Sequence, residues 1–176
     1  MNIFFVDKDP EEAAMCLCDK HVVKMVLESA QMLSTAHRVL DGHESIDTSG
    51  KRRIKRWFLM DAERDMMLYK ATHVNHPCNV WIREGVENYL WLTEHFYYLL
   101  NEYKYRYEKT HKCQEMFLTL QNPPFNLQNW DRTPVKLAMP EEFKTDDPVE
   151  SYRKYYLSKK NDFVMAWTNR EPPIWF

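Results

Sequence analysis

The fold is decided by residues 20–40, KHVVKMVLESAQMLSTAHRVL. Apolar side chains recur there at spacings of three and four, which places them on one side of a helix. The residues predicted to be buried on that side are Val22, Met25, Val26, Ala30, Leu33 and Val39. Asp19 is the predicted N-cap, and Asp41-Gly42 ends the segment. We therefore predict a long helix from about Lys20 to Leu40.

The segments on either side of this helix carry their own signals. Residues 2–7 are apolar and β-prone but too short for a helix, which predicts a short buried strand or an extended segment. Asp9-Pro10 begins a short helix, with aspartate as N-cap and proline in the first position. Residues 41–50 are predicted to form a polar loop. Residues 51–70 are predicted to form a third helix, basic at its start and rich in methionine at its end.

The second half of the chain is also predicted to be helical. Pro77 disfavours helix in the residue before it, so a break is expected at 73–77. The longest periodic segment, 78–109, predicts the central helix of the core. The remaining predictions are a shorter helix at 111–121, a loop at 122–140, a helix opened by Asp147 and Pro148, and a non-helical aromatic tail at 170–176.

These patterns together predict a mainly α protein. We expect a single compact helical domain over 1–176, with a short N-terminal strand or extended segment, since 176 residues suit one domain. The hydrophobic fraction of 44% excludes a disordered chain. Only three glycines occur, which disfavours Gly-rich phosphate loops and β-architectures with many tight turns.

Charge and cysteine content limit the possible partners and locations. The net charge of −2 gives no global attraction to nucleic acid, so such binding requires local patches. No apolar run approaches the roughly 20 residues that span a bilayer, and we expect no membrane association. The start of the chain lacks a signal-peptide pattern. We expect an intracellular protein, in the cytosol or in the nucleus of a host that has one, with its four cysteines reduced.

A polar stripe follows the predicted helix at spacings of three, four, three and four. Its members are His21, Lys24, Glu28, Gln31 and Thr35. These spacings place all five on one helix face. A stripe of this kind is either a solvated face or the wall of a cleft. In a cleft, His21 and Glu28 would act as general acid and base and Lys24 would stabilise developing negative charge.

The residues from His73 to Arg83 are a second candidate region. His73, Asn75 and His76 precede the start of a predicted helix, and loops in that position often carry function. Arg83, one turn into the helix, suits a bidentate contact with an anion. A zinc site is the alternative, built from Cys16, Cys18, His21, His73, His76 and Cys78. Their spacing matches no zinc motif, so we predict no metal and no other cofactor.

Cations and aromatic residues concentrate in two further places. The first is a nucleic-acid-binding candidate whose cations are Lys51, Arg52, Arg53, Lys55 and Arg56, followed by two aromatic residues. Its composition suits phosphate contact and base stacking, although charge runs are often simply solvated. The second is Tyr103–Tyr107, a weaker candidate in which tyrosines alternate with cations. Trp175, in the aromatic tail, is expected to pack on the body or line a site.

The segment Asp19-Lys20-His21-Val22-Val23-Lys24-Met25-Val26-Leu27-Glu28 resembles the first functional helix of the pyrimidine-dimer DNA glycosylases of the endonuclease V type. Asn75-His76-Pro77 and the segment ending near Tyr107 are similar to patterns in bacterial members, and Trp175-Phe176 is similar to the family's aromatic tail. The chain is also similar to a set of phage and algal-virus proteins that share the segments around His76 and Trp175, a likeness that supplies no activity.

The resemblance implies a Schiff-base enzyme in which an N-terminal amine attacks deoxyribose C1′ and a glutamate assists. Carried over, Glu28 would be the catalytic acid/base, and His21 and Asp19 would lie on the substrate side. The family starts Met-Thr, whereas here Asn2 follows Met1 and a residue of that size leaves the methionine in place. The amine would then belong to Met1 or to Lys24, or the lyase step would be absent. The arginines flanking the family's glutamate are replaced by Leu27 and Ser29.

Three functions remain open at this point. The first is a base-excision glycosylase acting on damaged pyrimidines in DNA, expected to be duplex. The second is an enzyme of the same fold that acts on a nucleotide or another small N-glycoside without lyase activity. The third is a non-catalytic viral binding protein. The sequence leaves the lesion and the oligomeric state undetermined.

Overall fold

The computed structural model describes residues 1–50 and 53–176, and these are mainly α-helical. The helices are α1 (Pro10–Cys16), α2 (Asp19–Asp41), α3 (Ala62–Met67), α4 (Pro77–Trp81), α5 (Val86–Tyr107), α6 (Phe117–Leu120) and α7 (Pro148–Ser158). Two antiparallel strands, β1 (His43–Asp47) and β2 (Ile54–Phe58), form a hairpin with His43 opposite Phe58. The predicted mainly α fold class is confirmed.

The N-terminal segment is buried, as predicted, but it is not a strand. Residues Ile3–Val6 lie in the core, and Phe4 has a left-handed backbone with φ of 44°. That conformation prevents regular pairing with a neighbouring strand. Asp9 caps α1 as predicted, since its side chain accepts hydrogen bonds from the amides of Glu11 and Glu12.

Helix α2 agrees with the sequence prediction to within one residue at each end. Of the six residues predicted to be buried, all but Val39 are fully buried. The N-cap, however, is Cys18, and Asp19 is the first helical residue. The prediction of Asp19 as N-cap is wrong because its carboxylate binds Thr168 and Arg106 instead of amides of its own helix.

The predicted polar loop at 41–50 and the predicted helix at 51–70 are both wrong. Residues 43–47 form β1 and residues 54–58 form β2, and among the described residues of 51–70 only Ala62–Met67 is helical. The side chains of β2 do not alternate between buried and exposed, so no period of two marked this strand in the sequence. Asp61 then caps the short helix.

The predicted helix at 78–109 is divided into α4 and α5. At Gly85, the N-cap of α5, a side chain would collide with the carbonyl oxygen of Asp131, so the 122–140 loop approaches the chain where the two helices separate. Further along, Lys112–Met116 is a 3-10 turn and only Phe117–Leu120 is α-helical, in place of the predicted helix at 111–121.

The core lies where α1 and α2 both pack against α5. Its largest fully buried side chains include Trp81, Tyr89, Phe96, Tyr152 and Tyr156. Helix α7 begins at the predicted cap Asp147 and contributes the last two of these rings. The C-terminal aromatic tail is half-buried against the core, as expected. Within the described ranges, no helix combines the length and apolar character needed to cross a membrane.

Arg38 is a buried structural residue that the sequence analysis did not identify. Its side chain is 4% exposed, and all five of its N–H groups have acceptors. It donates to the carbonyl oxygens of Tyr69, Trp57, Leu68 and Asp65 and to the Asp65 carboxylate. Arg38 therefore fixes β2 and the end of α3 against α2.

We expect Arg38→Met to lower the free energy of unfolding by about 2–3 kcal/mol, because four carbonyl oxygens and a carboxylate lose their donor. Urea denaturation followed by circular dichroism measures the change. The control is Arg53→Met, since Arg53 is exposed, and its expected effect is within about 0.5 kcal/mol. Equal stability of the two variants would contradict the role of Arg38.

Three buried histidines make stability depend on pH. Burial is the main cause that lowers the pKa of His21 to about 4, of His37 to about 4 and of His95 to about 3. Since the ordinary pKa is about 6.5, the unfolded chain binds more protons than the folded chain between these values. The stability is therefore complete above pH 6.5 and falls as the pH is lowered towards 4.

The expected loss is up to about 1.4 kcal/mol for each histidine per pH unit below 6.5. His95→Leu should reduce this slope, because His95 is fully buried and neither of its ring nitrogens has a hydrogen-bond partner. Urea midpoints between pH 7 and 4.5 provide the measurement. An unchanged slope in the variant would show that His95 does not contribute to it.

Candidate active site

The carboxylate of Glu28 lies at the centre of a cluster of nitrogen atoms. Its side chain is only 12% exposed. The amine of Met1 is 3.7 Å from Oε1, and Lys24 Nζ, one turn away on α2, is 3.4 Å from the same oxygen. The backbone N–H of Asn2 donates to Oε2 at 2.9 Å. Glu28 is therefore positioned beside the first amine of the chain.

Asn2 holds the N-terminal segment in place. Its Oδ1 accepts hydrogen bonds from the amides of Ile3 and Phe4 at 2.8 and 2.9 Å. Its Nδ2 donates to the carbonyl oxygen of Ala138 at 3.0 Å. These bonds stabilise the left-handed turn at Phe4 and direct the Met1 amine towards Glu28. This role of Asn2 was not predicted from the sequence, where only the size of its side chain was considered.

The Met1 side chain is enclosed as well. It is 2% exposed, and Asn79 Nδ2 lies 3.0 Å from its sulfur. Asn79, at 0% exposure, also donates to the carbonyl oxygens of Thr72 and His73. The segment before α4 is thereby packed against Met1. This contact brings the two regions singled out in the sequence, the stripe on α2 and the histidine segment, to one place.

His76 is the N-cap of α4 and belongs to this place. Its Nδ1 accepts the amide of Cys78 at 3.2 Å, so the neutral ring carries its proton on Nε2. Burial is the largest cause that lowers the His76 pKa, followed by the positive charges of the Met1 amine and of His73, while Glu28 acts in the opposite direction. His76 therefore offers a neutral N–H donor near Met1 and Glu28.

The other residues of the α2 stripe surround Glu28 unequally. Thr35 is buried and accepts the amide of Thr72 at 3.2 Å, and Gln31 is half-buried. His21, two turns before Glu28, is 5% exposed and packs against Phe4 at a ring distance of 4.7 Å. The stripe is therefore largely covered by the N-terminal segment and the loop before α4, and it is not a solvated face.

His21 is a neutral, fixed ring. Tyr156 Oη accepts the amide of Cys18 at 2.8 Å and lies 2.9 Å from His21 Nδ1. The tyrosine hydrogen is then free to point at Nδ1, which leaves the imidazole proton on Nε2. Burial, followed by the charges of Lys24 and Lys159, lowers the pKa of His21.

The remaining substrate-binding candidates lie outside the contacts of Glu28. Asp19 binds the amide and hydroxyl of Thr168. Trp175 packs against Tyr156 at 5.9 Å. Asn75 and His73 are exposed on the loop before α4. Arg83 donates to the carbonyl oxygen of Val74 at 2.7 Å, which tethers that loop.

The described cations of the basic cluster lie on the hairpin, not on a helix. Lys55 pairs with Glu44 across the strands at 2.8 Å, and Arg56 lies 3.6 Å from Asp47. Arg53 is exposed. Lys51 and Arg52 lie outside the described residues. The described cations of this cluster are therefore partly neutralised by their cross-strand partners.

The metal alternative gains no support from the geometry. All four cysteines are free thiols. In the described ranges, no three side chains of histidine, cysteine, aspartate or glutamate converge as a metal site would require. The six proposed ligands are instead divided between the Met1 cluster, the core and the interface of α1 with the tail.

A separate cleft of about 490 Å³ lies at the other end of α2. It is lined by His37, Asp41, Arg64 and Phe125, among others, and it does not include Glu28. Arg64 donates a hydrogen bond to Nδ1 of His37 at 2.7 Å. Nε2 of the same ring lies 2.9 Å from the Tyr89 hydroxyl oxygen. These contacts connect α2, α3 and α5, which explains why the ring is neutral and buried.

The comparisons with known proteins identify the family. The sequence profile described as pyrimidine dimer DNA glycosylase matches residues 1–115, about two thirds of the chain. No curated protein and no solved structure matches the chain. The matched range contains Met1, Glu28 and His76, and it extends beyond the end of α5. The chain belongs to the pyrimidine dimer DNA glycosylase family.

Proposed function

We propose that this protein is a DNA glycosylase with lyase activity that removes damaged pyrimidines from duplex DNA. The observation that carries the proposal is the Met1 amine, 3.7 Å from the nearly buried carboxylate of Glu28. Membership of the family supports base excision, and this pair supports the use of an amine as the nucleophile.

In the first step the unprotonated Met1 amine attacks C1′ of the target sugar. The N–C1′ bond forms as the glycosidic C1′–N1 bond breaks, and the pyrimidine leaves with that electron pair and takes a proton from solvent. Glu28 accepts a proton from the attached nitrogen and delivers it to the ring oxygen. The C1′–O bond then breaks and leaves an iminium ion, the Schiff base.

Strand cleavage follows from the same carboxylate. Glu28 removes a proton from C2′, the electrons form the C2′–C3′ double bond, and the 3′ phosphate leaves with the C–O electron pair. A carboxylate close to the iminium also stabilises its positive charge. His76, with its donor at Nε2, is suited to bind a sugar or phosphate oxygen, and Lys24 to bind a phosphate next to Glu28.

Borohydride trapping on duplexes that contain a thymine dimer or an abasic site tests this function. Borohydride transfers hydride to C1′ of the iminium and makes the link between protein and DNA permanent. We expect a covalent adduct with the protein, and strand cleavage when borohydride is omitted. If no adduct and no cleavage were seen on either substrate, the lyase chemistry would be refuted.

Two observations favour a second candidate, an enzyme that acts on a nucleotide or a small N-glycoside. The net charge is −2, and two described hairpin cations, Lys55 and Arg56, are paired with acids. A small ligand would need no broad basic surface. Salt dependence separates the candidates, because binding through several DNA phosphates weakens steeply with salt. The contact of Arg53, Lys55 and Arg56 with DNA is a prediction of the first candidate alone.

A further inference from the structure

Lys20 and Lys159 lie next to Phe163, a ring that packs against the buried ring of His21, and Lys24 lies one turn after Lys20 on α2. Lys20 Nζ lies 4.6 Å from the centre of the Phe163 ring, and Phe163 contacts His21 edge-on at 5.4 Å. The positive charges of Lys24 and Lys159 help to lower the pKa of His21, which agrees with this placement. Two of these lysines come from α2 and one from the turn after α7.

The turn after α7 places Lys159 and Phe163 together. The amide of Phe163 donates to the carbonyl oxygen of Lys159 at 3.3 Å. Lys159 Nζ lies 4.6 Å from the centre of the Tyr155 ring and 2.9 Å from the Asp162 carboxylate. Asp162 is 55% exposed, and a surface ion pair of this kind contributes little free energy, so a phosphate can replace it.

The rings in this region are covered by other groups. Lys20 lies over one face of Phe163, and Tyr155 packs against Phe4 and Phe143. Aromatic surface is therefore occupied, while Lys20 and Lys24 are exposed and Lys159 is partly exposed. The lysines are therefore suited to bind phosphate groups, and the rings are not available to stack with bases.

The spacing relates these lysines to the proposed reaction centre. Lys20 precedes Glu28 by eight residues, about 12 Å along the helix axis. A DNA strand rises about 3.4 Å per nucleotide, so this distance corresponds to three or four nucleotides. We propose that Lys20, Lys24 and Lys159 form a phosphate-binding surface that holds one DNA strand over the nucleotides next to the reacting sugar.

This inference rests on the proposed function for its choice of DNA as the ligand. It adds a surface from the C-terminal third of the chain, beyond residues 1–115 that match the family. Neither Lys20 nor Lys159 contacts Met1 or Glu28, so their removal should weaken binding without altering the chemical step.

The test is the salt dependence of binding to a duplex that carries a stable abasic-site analogue. Fluorescence anisotropy gives the affinity between about 50 and 200 mM salt. We expect Lys20→Gln/Lys159→Gln to make the slope of log affinity against log salt shallower by about 1.8, since each lost phosphate contact contributes about 0.9. The rate of borohydride trapping at saturating protein should equal that of the wild type.

The matched control is Lys8→Gln/Lys154→Gln. Both lysines are exposed, and Lys154 is paired with Glu150 at 2.8 Å, as Lys159 is with Asp162. The control should keep the wild-type slope. An unchanged slope in the Lys20/Lys159 variant, or an equal loss in the control, would overturn the surface. A lysine-dependent slope without any adduct would support the surface and refute the amine chemistry.

Discussion

Glu28→Gln is expected to lower the single-turnover rate of strand cleavage at an abasic site by about 10²- to 10⁴-fold, while the affinity for DNA stays within about threefold. The carboxylate accepts the Asn2 amide at one oxygen and lies beside two amines at the other. A neutral amide keeps the shape of the side chain. It cannot take the C2′ proton, and it cannot stabilise the iminium charge.

The control for this variant is Glu87→Gln, an exposed glutamate in the first turn of α5, which should cleave at the wild-type rate. Thermal melting verifies the fold of both variants. Some stability should be lost at Glu28, because the neutral amide no longer pairs with the Met1 amine in this largely buried place, whereas the loss of the exposed Lys24 pair contributes little. Cleavage by Glu28→Gln within threefold of wild type would show that this carboxylate is not the acid/base.

The accuracy of the sequence prediction varied along the chain for identifiable reasons. Helix α2 was located to within a residue because its period of 3.6 and its ending at Gly42 are local signals. The hairpin was missed because cations dominate β2 and its pairing with β1 is not visible in local composition. The break before α5 depends on the distant carbonyl of Asp131, which no local pattern contains.

The candidate site was predictable where it depends on helix spacing. Lys24 and Glu28 share a face because they are four residues apart, and the structure places Lys24 Nζ 3.4 Å from the carboxylate. The proximity of Glu28 to His76 could not be derived from the sequence, because it depends on the contact between Asn79 and Met1. Asn2 did carry a signal, because asparagine side chains often bond the amides that follow them.

In the C-terminal third the helix capped by Asp147 was predictable, but the contacts that hold the tail were not. The tail is fixed behind α1 and α2 by an ionic network in which Arg106 pairs with Glu102 and Asp19, and Arg170 pairs with Glu102. These pairs join residues up to 87 positions apart in sequence. They hold the chain from Thr168 onward beside the start of α2 and so help to place the turn at Lys159 near His21.

We propose the Met1 amine rather than Lys24 as the nucleophile, on the ground of its position beside Glu28 and of the exposure of Lys24. A lysine becomes a nucleophile when burial or another cation lowers its pKa. The Lys24 side chain is 58% exposed, so burial does not activate it. The Met1 amine is therefore favoured.

Acetylation of the Met1 amine, with the lysines left free, is expected to abolish borohydride trapping and to lower strand cleavage by at least about 10²-fold. The acetylated nitrogen has no lone pair available for attack on C1′, although Glu28 and the fold are unchanged. Peptide mapping of the wild-type adduct by mass spectrometry should place the DNA on residue 1. Lys24→Met, the comparison variant, should still form the adduct. An acetylated protein that traps DNA at Lys24 would transfer the role of nucleophile to that lysine.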